Sequence, residues 1–265
     1  VRLAVVGHIE WVEFIPVPRL PEPRQVVHAG DPFARAAGGG GVVAGVLAEL
    51  GAEVDFFTAL GDDAYGRGAV EQLRERGVTL HVAWRKQPTR RALTLIDAGG
   101  ERAIVTVGER LDPLGSDELN WDQLRDAAGA YVTAGDVAAL RSARQADVLV
   151  ASPRARRALS DDGARVDALV FSALDHDERE WAERVGGRAR LMVATEGAAG
   201  GHWWGDSEGG WQAAELPGPP VDSYGCGDSF AAGLTFGLAS GMPIDQAAAL
   251  GASCGARCLT RPGAP

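Results

Sequence analysis

From Trp121 onward the chain alternates short apolar runs with segments of helical periodicity, and this pattern limits the folds open to it most. Tyr131–Thr133, Val148–Val150, Ala168–Phe171 and Leu191–Ala194 read as buried strands. Strands separated by helices cannot pair as hairpins; they must cross over, which makes a parallel sheet with helices on both faces. Leu3–Val6, stopped by Gly7, and Val54–Thr58 read as further strands of the same kind. At 265 residues one α/β core accommodates the whole chain. Between Ile9 and Ala37 the character changes: Pro16, Pro18, Pro21 and Pro23 fall close together, which suits extended edge strands and turns. Arg91–Asp97 and Arg102–Val107 flank Gly99-Gly100 and read as a hairpin. The expectation is one domain over 1–265, with 9–37 as a small β lid to which 91–107 adds.

Several classes of function are disfavoured early. Net charge is −10 with no Lys/Arg-rich run, which argues against nucleic acid or an anionic membrane as main partner. The first residues are interrupted by charge too soon for a signal peptide, and Ser229–Ile244 is too short and too Gly-rich for a span, so the expected location is the cytoplasm. Cys226, Cys254 and Cys258 cannot form a disulfide framework and read as core thiols; the five histidines lack metal-ligand spacing. Lys86 is the single lysine, and no GxxxxGK[ST] occurs. A Walker phosphate loop is therefore absent, and Schiff-base chemistry would have to use one residue in a charged stretch.

The chemistry concentrates in Val221-Asp222-Ser223-Tyr224-Gly225-Cys226-Gly227-Asp228-Ser229-Phe230, followed by an apolar helical stretch that stops at Gly241. A glycine-rich turn feeding a helix near Asp228 offers free N–H groups and partial positive charge to an anion. Asp228 has two readings on spacing alone. It is either the N-cap of that helix or a general base beside the anion hole. Gly38-Gly39-Gly40-Gly41, opening an apolar helix from Val42 to Leu50, contains a GxGxxA, but no buried strand is expected to lead into Gly38, so a dinucleotide fold is disfavoured.

DSYGCGD closely resembles the DTxGAGD signature of the ribokinase/PfkB carbohydrate kinase family, and the SFAAGLTFGLA helix behind it is similar too. The resemblance runs along the whole chain. The four-glycine run resembles the family's first glycine signature, Gly61-Asp62-Asp63-x-x-Gly66 its GDDxxG element, and Thr195-Glu196-Gly197 its nucleotide-site turn. It implies a ribokinase-like three-layer α/β/α fold with a small β lid. It implies ATP and Mg²⁺ as cofactors and phosphoryl transfer to a sugar or sugar-like acceptor, with Asp228 as catalytic base and Gly225, Cys226 and Gly227 as the anion hole. Thr195, Gly197, Ser172, Asp222 and Ser223 fall at nucleotide-site positions. Ser172 and Asp175 stand where the family has NxxE, which makes Asp175 the expected Mg²⁺-organising residue. Gly38, Gly39, Gly40, Gly41 and Val12 fall at acceptor positions. A monovalent cation (K⁺) near Asp222 and a homodimer through the lid are also implied. Two departures lie at the acceptor end, where Val12 replaces a sugar-binding Asp and Val42 an Asn; free ribose and fructose are expected to be poor substrates. A nucleoside or other hydroxymethyl-compound kinase, with Trp11 and Phe14 as stacking residues, is the alternative, as is a non-catalytic ligand-binding relative.

Overall fold

A computed structural model describes residues 1–159 and 164–263. Its large sheet has nine strands. β1 (Arg2–Val6) pairs in parallel with β4 (Glu53–Gly61) on one side and β8 (Gly129–Val132) on the other. β5 (Val78–Arg85) extends the β4 side. Beyond β8 come β9 (Val148–Ala151), β10 (Val166–Ser172) and β11 (Ala189–Thr195), all parallel. β12 (Gly201–Gly205) and β13 (Gly209–Trp211) close that edge antiparallel.

Alternation along each strand sends neighbouring side chains to opposite faces. Leu3 and Val5 of β1 join a core with α1 (Gly38–Glu49), α2 (Ala64–Glu75), α5 (Cys226–Ala239) and α6 (Ile244–Leu259). Ala4 and Val6 face a second core with α3 (Val137–Ala143) and α4 (His176–Val185). Two apolar faces on one sheet produce the three layers.

A second, four-stranded sheet runs in the order β3 (Phe33–Ala37), β2 (Glu10–Pro16), β6 (Arg91–Ile96), β7 (Arg102–Val107). β2–β3 and β6–β7 are antiparallel, whereas β2–β6 is parallel, starting from Trp11 opposite Arg91. Both segments expected to form the lid enter this sheet.

Three details differ from expectation. A buried-ended strand, β3, does run directly into Gly38, but it belongs to the small sheet, so the glycine run is not the first turn of a βαβ unit in the large one. The helix begins at Gly38 itself rather than at Val42. Strands β5, β12 and β13 were not anticipated.

The chain grows the sheet from β1 toward β5 and later returns to the opposite side of β1 with β8. At such a switch point the loops at the carboxyl ends of the strands part and leave a crevice. Gly7 and His8 follow β1, and Thr133 follows β8, with the Thr133 N–H donating to Val6 O at 3.0 Å.

Candidate active site

Asp228 lies at the third residue of α5, and the N-cap is Gly225, whose φ of +77° is the left-handed conformation that glycine adopts without penalty. The N-cap reading of Asp228 is thereby overturned: the cap position belongs to Gly225, which has no side chain to offer the helix. The second and third N–H groups of a helix have no partner within it. Those of Gly227 and Asp228 are in this position, and a β-carbon on Gly227 would meet open space. The turn before the helix is fixed by Asp222, 2 % exposed, which accepts from Tyr224 N–H at 2.9 Å and Gly263 N–H at 3.0 Å. The exposed Ser223 hydroxyl accepts from Arg102 Nη1 at 2.7 Å, and the Arg102 guanidinium lies 5.9 Å from the Tyr224 ring centre. Cys226 contacts Cys258, and this bond together with burial holds the Cys226 thiol in its protonated form. Cys254 and Cys258 are buried, as expected of core thiols.

The glycines expected at the acceptor, Gly38–Gly41, arrive from the opposite direction. A β-carbon on Gly39 would lie 3.1 Å from Thr133 Oγ1 and 3.2 Å from Asp228 Oδ1. Gly38 N–H donates to the Tyr224 hydroxyl at 3.4 Å and Gly39 N–H to His8 Nε2 at 3.4 Å. Gly40 N–H donates to His8 O at 3.2 Å, and Gly41 packs against Ala36. The fold thus brings Gly38–Gly41 and Gly225–Asp228, almost two hundred residues apart, to one place. Val12 is not part of it. Its side chain is fully buried in the core beneath the small sheet and presents no surface to a ligand. Trp11 and Phe14 are not free to stack on a base either. Trp11 packs on Gly68 and Tyr65, and Phe14 is fully buried between Phe33 and Tyr224.

Charge gathers around Asp228 from residues that the sequence pattern had not singled out. Arg154, on the loop after β9, directs Nη1 to within 3.9 Å of Asp228 Oδ2 and donates through Nε to Glu178 at 2.7 Å. Glu178, on α4, accepts with its other oxygen from Ser172 N–H at 3.0 Å. Burial pushes the Asp228 carboxyl above the usual range for Asp; Arg154 opposes that and Glu178 adds to it. His8, 5 % exposed, is held well below the ordinary histidine range by burial and by the charges of Arg110, Arg154 and Arg90, so it is neutral. Burial likewise raises Glu10, whose Oε1 lies 3.1 Å from Arg90 Nε. One cue to Glu10 was available: it shares a strand face with the core residues Val12 and Phe14, where an unpaired carboxylate is costly.

Of the residues expected at the nucleotide, Ser172 and Thr195 are register partners at the ends of β10 and β11. Gly197 follows in a turn at φ +59°, against Leu174. Asp175 is exposed and serves as N-cap of α4, accepting from Asp177 and Glu178 N–H at 3.0 and 3.1 Å. Among the described residues no group of three or more His, Cys, Asp or Glu could hold a metal. This fits a Mg²⁺ that arrives on nucleotide phosphates, keeps most of its waters and needs one or two carboxylates. Asp175, Asp177 and Glu178 are the carboxylates at the start of α4. No helix among the described residues is long and apolar enough to cross a membrane.

The pfkB family carbohydrate kinase model matches residues 2–159 and 166–265. The ATP-dependent ribose-1-phosphate kinase of Halopiger xanaduensis is 29 % identical over 283 residues, covering 100 % of this chain and 94 % of that protein. The acarbose 7(IV)-phosphotransferase of Actinoplanes sp. is 32 % identical over 279 residues, covering 93 % and 88 %. The ribokinase of Thermotoga maritima superposes with a TM-score of 0.78 at 19 % identity, covering 99 % of this chain and 94 % of that one, which is a likeness of fold. The chain belongs to the pfkB family of carbohydrate kinases.

Proposed function

We propose that Asp228 is the general base with which this ATP-dependent sugar kinase deprotonates its acceptor hydroxyl. The observation that carries the reading is the convergence of a half-buried carboxylate, raised by desolvation, with the open helix N-terminus of α5 and the glycine-lined start of α1. A phosphoryl group in flight spreads negative charge over three oxygens, and catalysis is mainly positioning and charge stabilisation. The free N–H groups of Gly227 and Asp228 supply that stabilisation without side chains, whereas the Cys226 N–H already donates to Ser223 O at 3.4 Å. The acceptor lies between Asp228 and Gly38–Gly41. Its hydroxyl proton passes to an Asp228 oxygen as the hydroxyl oxygen attacks the γ-phosphorus, and ADP leaves.

ATP extends from this point across the ends of β10 and β11, over Ser172, Thr195 and Gly197. Mg²⁺ supplies charge neutralisation on its phosphates, with Glu178 and Asp175 as the carboxylates that could hold it through water. A monovalent cation near Asp222 would have to share a carboxylate whose two oxygens already accept backbone amides. A second copy docking on the small sheet would cover Ile104, Val105 and Val107, which β7 leaves exposed.

The names of the relatives include both a charged and a neutral acceptor, so they do not choose between them for this chain. An ATP-consumption screen over sugars, polyols, sugar phosphates and nucleosides tests the activity. If nothing in the panel consumes ATP, the kinase reading fails for this chain.

A further inference from the structure

The acceptor end lacks the polar groups expected to hold sugar hydroxyls, because Val42 is fully buried and Val12 lies in the core. Guanidinium groups stand there instead. Arg90 enters from the segment just before β6, Arg110 from the loop after β7, and Arg154 from the loop after β9. Arg90 Nε is 3.1 Å from Glu10 Oε1, which is 3.8 Å from His8 Nε2. Arg154 Nη1 is 3.9 Å from Asp228 Oδ2, and both Arg110 Nη atoms are 3.4 Å from Arg154 O. Guanidinium groups from three separate segments therefore gather around His8 and Glu10, each already beside a carboxylate, and Arg154 reaches on to Asp228.

The carboxylates around them use only part of what they offer. A guanidinium has five N–H donors. Arg110 is largely spent on Asp112, at 2.8 and 3.3 Å, and on Arg154 O. Arg154 gives Nε to Glu178, and its Nη1 stops short of hydrogen-bonding Asp228. Arg90 Nε is ion-paired with Glu10 at 3.1 Å but makes no well-aligned hydrogen bond, and the buried His8 Nδ1 has no hydrogen-bond partner. Native interiors rarely leave such groups without a partner, and a pocket that does so is built for something that brings acceptors with it. Neutral hydroxyls do not require several guanidiniums, whereas a planar or tetrahedral oxyanion suits their forked donors.

We infer that the acceptor is an anionic sugar, whose phosphate or carboxylate is held by Arg90 and Arg154, with Arg110 behind them, while its reacting hydroxyl lies at Asp228. This rests on the sugar-kinase reading above.

The test is initial-rate phosphorylation by the full chain of sugar monophosphates, aldonic acids and their neutral parent sugars, compared between the wild type and Arg90→Gln. The best anionic sugar is expected to exceed its neutral parent by about 100-fold or more in kcat/KM, since a site built around polar contacts rejects analogues lacking them. Arg90→Gln should shrink that ratio at least about tenfold, and Arg90→Lys should restore part of it. The phosphate and carboxylate arms decide which anion is meant. A neutral sugar as best substrate, with a ratio indifferent to Arg90→Gln, overturns the inference. If no acceptor is phosphorylated, calorimetric titration of the same sugar monophosphates and acids reads the pocket independently of catalysis. Binding that is weakened at least about tenfold in both Arg90→Gln and Arg154→Gln supports the inference, and absence of binding by every anionic sugar overturns it. Melting curves confirm that each variant is folded, and Arg90→Lys serves if Arg90→Gln is not.

Discussion

Gly39 and Asp228 face each other so closely that a methyl group on Gly39 would sit 3.2 Å from Asp228 Oδ1. Gly39→Ala is therefore expected to displace the carboxylate while the helix itself tolerates alanine. A misplacement of this order costs about 10–100-fold in kcat/KM. Steady-state kinetics beside a melting curve check it: a large kinetic loss with little change in Tm is the expected result.

Gly227→Ala makes the complementary case. Its added methyl meets no atom of the protein within 4 Å, so stability should stay the same or rise slightly. Any rise in the KM for ATP or fall in kcat then reports the phosphoryl group that approaches this amide, and unchanged kinetics would remove Gly227 from the anion hole.

Asp228→Asn should lower kcat by about 10²–10⁴-fold, the usual share of a general base. Because Gly225 and not Asp228 caps α5, no cap is lost and the Tm should move little. Single-turnover phosphoryl transfer measures the step directly; a variant retaining more than about a tenth of the wild-type rate would mean that Asp228 is not the base.

The pH profile follows from the raised carboxyl of Asp228. A base works deprotonated, so kcat/KM should fall with acid in a window above the ordinary carboxylate value of about 4. Arg154 pulls this pKa down, and Arg154→Gln should therefore move the acid limb to higher pH. Stability runs the other way. A carboxyl raised in the folded state contributes stability that is complete below its unfolded pKa and is lost as pH rises through the folded one. Rate–pH curves for the two proteins decide the matter, and an unmoved limb would dissociate Asp228 from it.

Asp222→Ala should destabilise the protein by about 2–4 kcal/mol, because two amides, of Tyr224 and Gly263, lose their partner in a buried place. Chemical denaturation provides the number, and a change below about 1 kcal/mol would show that water replaces the carboxylate. Lys86→Ala, by contrast, removes an exposed side chain on the segment between β5 and β6. ATP affinity should change by less than about tenfold, or 1.4 kcal/mol, when followed by calorimetry.

Much of this architecture was readable in the chain. The runs at Leu3, Val54, Tyr131, Val148, Ala168 and Leu191 are apolar on both faces, as strands covered by helices on two sides must be. β12 and β13 escaped because GHWWG and GGW are mostly glycine and tryptophan at an edge, where periodicity carries no information. β5 escaped because VTLHVAWR is only partly buried. Within the site, the contiguous motifs around Gly38 and Gly225 were legible, since backbone geometry demands glycine locally. Arg90, Arg110, Arg154 and Glu178 were not, because each is a single charge in an ordinary loop, strand end or helix until the topology gathers them; Glu10 left only the cue of its place on the buried face of β2. Val12 misled for a related reason. The family resemblance put it at the acceptor, while its side chain, on the same face of β2 as Glu10, is fully buried in the core.

The parallel pairing of β2 with β6 carries a consequence for the order in which the chain can fold. Trp11 finds Arg91 only after the intervening residues have built α1, β4, α2 and β5, so the small sheet is no self-contained hairpin. Contacts of such sequence separation form late, because loop closure must be met before they contribute. The small sheet thus assembles on a framework already laid down by the first βα units. During synthesis or refolding, phosphoryl chemistry cannot precede the completion of that framework.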